Sequence, residues 1–133
     1  MSYPVADMVR DFQPFGYPTD ESLCPHGMSV IVNAPAAYRF TSAAAPERHF
    51  EGAALLGANT ADAVPAEAGE ILAEHLAEMM QQTDMPNGVG GVGFDGADID
   101  DLVAGALVQQ RLLSVSPREV QKEDLHSIYT AAL

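Results

Sequence analysis

The sequence predicts an all-α domain, a bundle-like packing of about five to seven helices in a single unit over residues 1–133. Three observations carry that expectation. Apolar residues recur every three or four positions in successive stretches, the spacing that puts them on one face of an α-helix. Proline opens several of these stretches and glycine closes one, the usual asymmetry of helix ends. No stretch alternates apolar and polar residues as a half-buried strand would.

In residues 4–12, Val5, Met8, Val9 and Phe12 share a helical face, with Asp7, Arg10 and Asp11 elsewhere on the wheel. Pro14, Gly16 and Pro18 then enforce a loop that runs through Asp20 and Glu21 to His26. Residues 27–45 carry almost no charge, and Met28, Val30, Ile31, Val32, Ala36, Tyr38 and Phe40 leave no polar face. Such a segment is expected to be the central helix, buried on most sides. Pro35 removes the backbone bond to Ile31 and is expected to kink or split it.

Pro46 sits well in a first helical turn, Glu47 suits the positive end of the helix dipole, and Gly57 marks the stop. Residues 59–64 read as a loop, after which Pro65 opens the clearest amphipathic pattern in the chain. Ala68, Ile71, Leu72, His75, Leu76, Met79 and Met80 form its apolar stripe, and Glu67, Glu70, Glu74 and Glu78 lie off it. A lone histidine on such a stripe is expected to be a satisfied structural residue.

Residues 88–93 spell G-x-G-x-x-G, but a helix precedes them where a dinucleotide site needs a strand, and Phe94-Asp95-Gly96 intervenes before the next helix. The expected role is a flexible turn. Asp95 or Asp98 is placed to cap the following helix, whose stripe of Ile99, Leu102, Val103, Ala106 and Leu107 extends as far as Leu113. Pro117 stiffens a connector over residues 114–121. A last helix carries Leu125, Ile128, Tyr129 and Ala132 on one side, with Glu123 and Asp124 near its start.

Six basic residues against nineteen acidic ones leave a net charge of -13. That balance argues against nucleic acid as a partner, because phosphate binding needs a basic stripe. The single cysteine, Cys24, excludes an internal disulfide and fits a reducing compartment. With no basic leader followed by an apolar run, and no apolar run near the roughly 20 residues that span a bilayer, a soluble cytoplasmic protein with no membrane partner is expected.

The residues that point to chemistry are Leu23-Cys24-Pro25-His26-Gly27-Met28-Ser29-Val30. A histidine held in a turn between proline and glycine can present a ring nitrogen to a metal ion without competing for packing space. One histidine is not a metal site, and His49, His75 and His126 show no i, i+3 or i, i+4 pairing with it or with each other. Cys24 with His26 as a thiol and its base lacks an orienting third group.

The segments Gly16-Tyr17-Pro18, Cys24 to Val30, Pro46-Glu47-Arg48-His49, Asp98 to Val103 and Ser116-Pro117-Arg118-Glu119-Val120 resemble, in order, the C-terminal domain of iron-containing alcohol dehydrogenases. The branch they most resemble is the hydroxyacid-oxoacid transhydrogenases. The resemblance implies an all-α domain that supplies metal ligands, partnered by an N-terminal α/β domain that binds NAD(P). It implies a divalent metal, iron or zinc, held by one aspartate and three histidines, of which His26 matches the last. Tyr3 matches a position beside the reacting carbon where many members carry histidine, a role that tyrosine cannot fill as a near-neutral proton relay. The remaining ligands and the cofactor domain are then expected outside residues 1–133, so this chain alone is expected to be inactive. Its partner would be an N-terminal half, or a second copy covering an apolar face. The alternative is a freestanding helical interaction module that has kept the fold and lost the chemistry.

Overall fold

The computed structural model describes residues 1–18 and 20–133. They form eight α-helices: α1 (Ser2–Met8), α2 (His26–Ile31), α3 (Ala34–Ser42), α4 (Pro46–Leu56), α5 (Ala68–Gln82), α6 (Ile99–Leu107), α7 (Gln110–Leu113) and α8 (Lys122–Ala131). No strand occurs among the described residues. The count exceeds the expected five to seven because the stretch around Pro35 is split, as expected of that proline, and the stretch after Ile99 is interrupted as well.

The first interruption is at Pro35. Lacking an N–H, it sits in the first turn of α3, and the break falls just before it at Val32-Asn33. Asn33 N–H tightens onto Val30 O at 3.2 Å, and Ala37 N–H restarts the ladder on Asn33 O at 3.0 Å. The expectation of a central, mostly buried helix is corrected here. Only Ser29 in α2, Val32 and Asn33 at the break and Ala36 in α3 are buried, while Val30 and Tyr38 are 44% and 41% exposed. The nearly uncharged segment carries an uncovered apolar face at Val30 and Tyr38. The second interruption lies at Val108 and Gln109, where α6 stops short of Leu113 and α7 makes a separate turn.

At the N-terminus the helix is shorter and earlier than periodicity suggests. Val9 turns extended (φ -59°, ψ 136°), so α1 ends at Met8. Phe12 packs on the core from the loop, and its carbonyl accepts the Leu23 N–H at 2.9 Å.

Most of the other sequence signals are confirmed. Gly57 ends α4 in the left-handed region at φ 98°, and Pro65–Glu67 forms a short 3-10 turn that leads into α5. Asp95 and Asp98 cap the short 3-10 turn Gly96–Asp98 that leads into α6. Asp95 Oδ1 accepts the Ala97 N–H at 2.7 Å and Asp98 Oδ2 accepts the Asp95 N–H at 2.9 Å.

Two apolar clusters organise the domain. The larger joins α1, α2, α3, α6 and α8 through Val5, Val32, Leu102, Val103, Leu125 and Tyr129. The smaller lies where α4 meets α5, around Ala53, Leu72 and Leu76. α3 bridges them, packing on α5 on one side and α8 on the other. Met79, expected on the buried stripe of α5, is 37% exposed at its edge.

The G-x-G-x-x-G segment is not the flexible turn expected. Val89 and Val92 are buried, and Val89 N–H donates to Ala132 O at 2.7 Å. A Cβ on Gly88 would lie 2.1 Å from Ala132 O, and one on Gly90 would lie 2.6 Å from Leu133 O. These glycines cradle the backbone at the end of α8.

Candidate functional site: the His26 mouth

His26 is the first residue of α2, preceded by Pro25 in an extended conformation (φ -54°, ψ 146°). Ser29 closes the turn twice, donating its N–H to Pro25 O at 2.9 Å and its hydroxyl to His26 O at 2.8 Å. The backbone of His26 is therefore fixed while its side chain stays exposed. Among the described residues its ring has no hydrogen-bond partner. It meets the ring of Tyr3, with centroids 5.6 Å apart and planes inclined at 46°. Packing of α1 against α2 makes this pair from residues twenty-three positions apart.

The other histidines are committed elsewhere. His49 is buried in α4, its Nδ1 2.8 Å from Ala45 O and its Nε2 2.8 Å from Thr41 Oγ1. A carbonyl only accepts, so the proton lies on Nδ1. The edge of Tyr38 covers the ring at 5.6 Å. His75 donates Nε2–H to Leu56 O at 3.0 Å and so ties α5 to the end of α4, the structural role expected of it. His126 is exposed on α8. Among the described residues no three His, Cys, Asp or Glu side chains are grouped to hold a metal ion. The donor set here is one imidazole, suited to one coordination position, and it does not make a complete cage.

Cys24 is buried beside this mouth, and burial pushes its thiol up from the ordinary value. A thiol held protonated is a poor nucleophile, which counts against the pairing with His26. The Pro117-Arg118 motif has a structural role. The Arg118 guanidinium stacks 4.1 Å above the Phe40 ring and donates to Phe40 O at 3.3 Å, anchoring the connector before α8 to the end of α3.

Sequence reasoning missed the Thr41–His49 contact and the burial of Asn33. The first joins the ends of two helices across a turn, and helical periodicity carries no signal for such a pair. Asn33 is 3% exposed, yet it looks like an ordinary polar residue within an apolar run.

Residues 21–133 match the family described as Fe-containing alcohol dehydrogenase, C-terminal. All 133 residues align at 39% identity with the mitochondrial hydroxyacid-oxoacid transhydrogenase of Bos taurus, covering 28% of that protein. The probable mitochondrial hydroxyacid-oxoacid transhydrogenase of Dictyostelium discoideum is 38% identical over 130 residues, 97% of this chain and 24% of that one. Among solved structures, an alcohol dehydrogenase from Oenococcus oeni superposes with a TM-score of 0.75 at 26% identity, over 83% of this chain and 28% of that one. A 1,3-propanediol oxidoreductase shares the fold, with a TM-score of 0.74 at 22% identity over the same shares. The chain thus spans about a quarter of the length of these relatives, 24% to 28%.

Proposed function

This chain belongs to the Fe-containing alcohol dehydrogenase family, as its C-terminal helical domain, and from that premise we propose that it is the metal-contributing part of a hydroxyacid-oxoacid transhydrogenase. The reaction would move a hydride between a hydroxy acid or alcohol and a nicotinamide or oxoacid. The observation that carries this reading is the 39% identity to a hydroxyacid-oxoacid transhydrogenase along the whole chain.

In this reading His26 supplies one neutral imidazole to a divalent ion, iron or zinc, and the remaining ligands come from outside the 133 residues. The ion, when bound, polarises the substrate oxygen. What this chain contributes is placement. The Pro25–Ser29 turn holds His26 at the surface, and the Tyr3 ring restricts its swing. Tyr3 would also border the reacting carbon, with its phenol as a hydrogen-bonding wall. NAD(P), where used, would bind another domain, and the chain alone would be inactive. No described helix is long and apolar enough to cross a membrane. We propose a cytoplasmic location, with cell fractionation deciding between it and the mitochondrial location printed for the two transhydrogenases.

The test is elemental analysis and turnover of the chain assembled with an N-terminal family domain, using a hydroxy acid such as 4-hydroxybutyrate. Stoichiometric metal that His26→Ala weakens by about 100-fold or more is expected, given that even outer-shell changes cost about 10–100-fold. Metal retained by His26→Ala, or an assembly that reduces neither a nicotinamide nor an oxoacid, overturns the reading. A folded, metal-free assembly would favour the interaction module.

A further inference from the structure

Tyr3 is 46% exposed, so burial does not fix its ring against His26. Its placement comes from the backbone that carries it. The helix α1 has seven residues and no side-chain cap at its start, too little to hold its shape alone, and it depends on what it packs against. It packs on both α2 and α6, and its buried residues are Pro4 and Val5.

At Gly105 the backbone of α6 comes close to α1. A Cβ there would lie 2.7 Å from Pro4 Cβ and 3.5 Å from Pro4 Cγ, the first well inside the distance at which carbon atoms pack. Glycine in the interior of a helix is less favourable than alanine, yet α6 carries one where α1 meets it. Pro4 cannot yield by changing rotamer, because its ring closes on the backbone. A side chain at position 105 would therefore push α1 itself, and Tyr3 is bonded to Pro4. Two further ties hold the same segment in place. Tyr129 O–H donates to Met1 O at 2.8 Å, and Arg10 pairs with Asp98 just before α6.

We infer that Gly105 is a positioning residue: by admitting Pro4 to the backbone of α6 it sets the Tyr3 ring against His26, and so restricts the imidazole that would hold the metal. Gly27, next to His26 in α2, has nothing within 4 Å of where its Cβ would be. The constraint on the ring pair thus enters from α6 and not from the glycine beside the histidine. The inference deepens the reading of His26 as a ligand and rests on that reading for the metal, whereas the ring contact itself does not depend on it.

The experiment is nuclear Overhauser spectroscopy of the 133-residue chain, read at the cross-peaks between the ring protons of Tyr3 and His26. The unsubstituted chain should show them and Gly105→Ala should abolish them. Gly52→Ala, in a helix where the added Cβ meets nothing within 4 Å, should keep them. Pro4→Gly added to Gly105→Ala should bring them back, since it removes the atom that the new Cβ strikes. In the assembly with an N-terminal family domain, Gly105→Ala should weaken metal binding about tenfold, the low end of the cost of disturbing a ligand's neighbours, and Gly52→Ala should not. Three results overturn the inference: cross-peaks absent from the unsubstituted chain or surviving Gly105→Ala, cross-peaks or folding that Pro4→Gly fails to restore, or metal affinity that Gly105→Ala leaves intact. An unsubstituted assembly that takes up no metal sinks the proposed function, while the cross-peaks still decide whether Gly105 sets the ring contact.

Discussion

Around the Gly-rich turn, α8 and the Thr41–His49 contact, buried polar groups are matched one to one. Val89 N–H meets Ala132 O, Tyr129 O–H donates to Met1 O at 2.8 Å, and both nitrogens of His49 are engaged. Along the α2–α3 face Asn33 Oδ1 lacks a donor, the His26 ring makes no described hydrogen bond, and Val30 and Tyr38 are open. The closed region has spent its polar groups on holding the fold. The open region keeps them, together with apolar area, for something else. Substitutions should therefore cost stability in the first region and leave it nearly untouched in the second.

The largest expected effect is in the closed region. Gly88→Val forces a β-branched residue into φ +65° and drives a Cβ to 2.1 Å from Ala132 O. A loss of about 3 kcal/mol or more is expected in urea unfolding. Stability unchanged by this substitution would show that the turn is loose, and the contrast would fail.

Next is the comparison of the two histidines. His49→Ala removes two hydrogen bonds and leaves a cavity beneath Tyr38, for about 2–4 kcal/mol. It should leave metal binding by a folded assembly unaffected. Equal destabilisation by His26→Ala would break the distinction between them.

Tyr129→Phe is expected to cost about 1 kcal/mol through the Met1 carbonyl it abandons. It also sharpens the comparison through pH. Burial pushes the Tyr129 phenol well above its usual range, so the folded state keeps its proton where the unfolded state releases it. The stability this provides is present below about pH 10 and is lost as pH rises beyond it. Cys24, also raised by burial, adds a loss of the same sign from a slightly lower pH. Unfolding measured from pH 7 to 11 should slope downward at the alkaline end, and Tyr129→Phe should flatten that slope.

The smallest effect belongs to the open region. His26→Ala should change stability by no more than about 0.5 kcal/mol, as expected for an exposed side chain away from structural hydrogen bonds. The thermal midpoint should hold even as metal affinity falls in the assembled protein. A large drop would mean that His26 supports the fold.

Much of the helical layout was legible because its signals are local. Pro46, Gly57 and Pro65 act on their own backbone, and Asp95 and Asp98 cap within four residues of each other. The amphipathic stripe of α5 was equally plain, since its period is set by the helix alone. At two places where prediction failed, the outcome depended on distant parts of the chain. Residues 88–93 read as flexible because glycine permits freedom, but the backbone of Ala132 and Leu133 removes it. Residues 27–45 read as buried because they are apolar, although Val30 and Tyr38 stay 44% and 41% exposed.

The candidate site divides in the same way. A histidine set between proline and glycine was recognisable in sequence, and the family pattern marked it as a ligand position. Its neighbour Tyr3, the commitment of His49 and His75, and the unpaired oxygen of Asn33 came from packing. The sequence by itself determined the helix boundaries marked by Pro46, Gly57, Pro65 and the Asp95–Asp98 pair, because those choices are made by backbone donors, acceptors and φ angles within one turn. Only the tertiary structure decided which histidine remains free and which apolar face remains open. Those properties depend on what other parts of the chain bring against a residue, and spacing along the chain does not encode it.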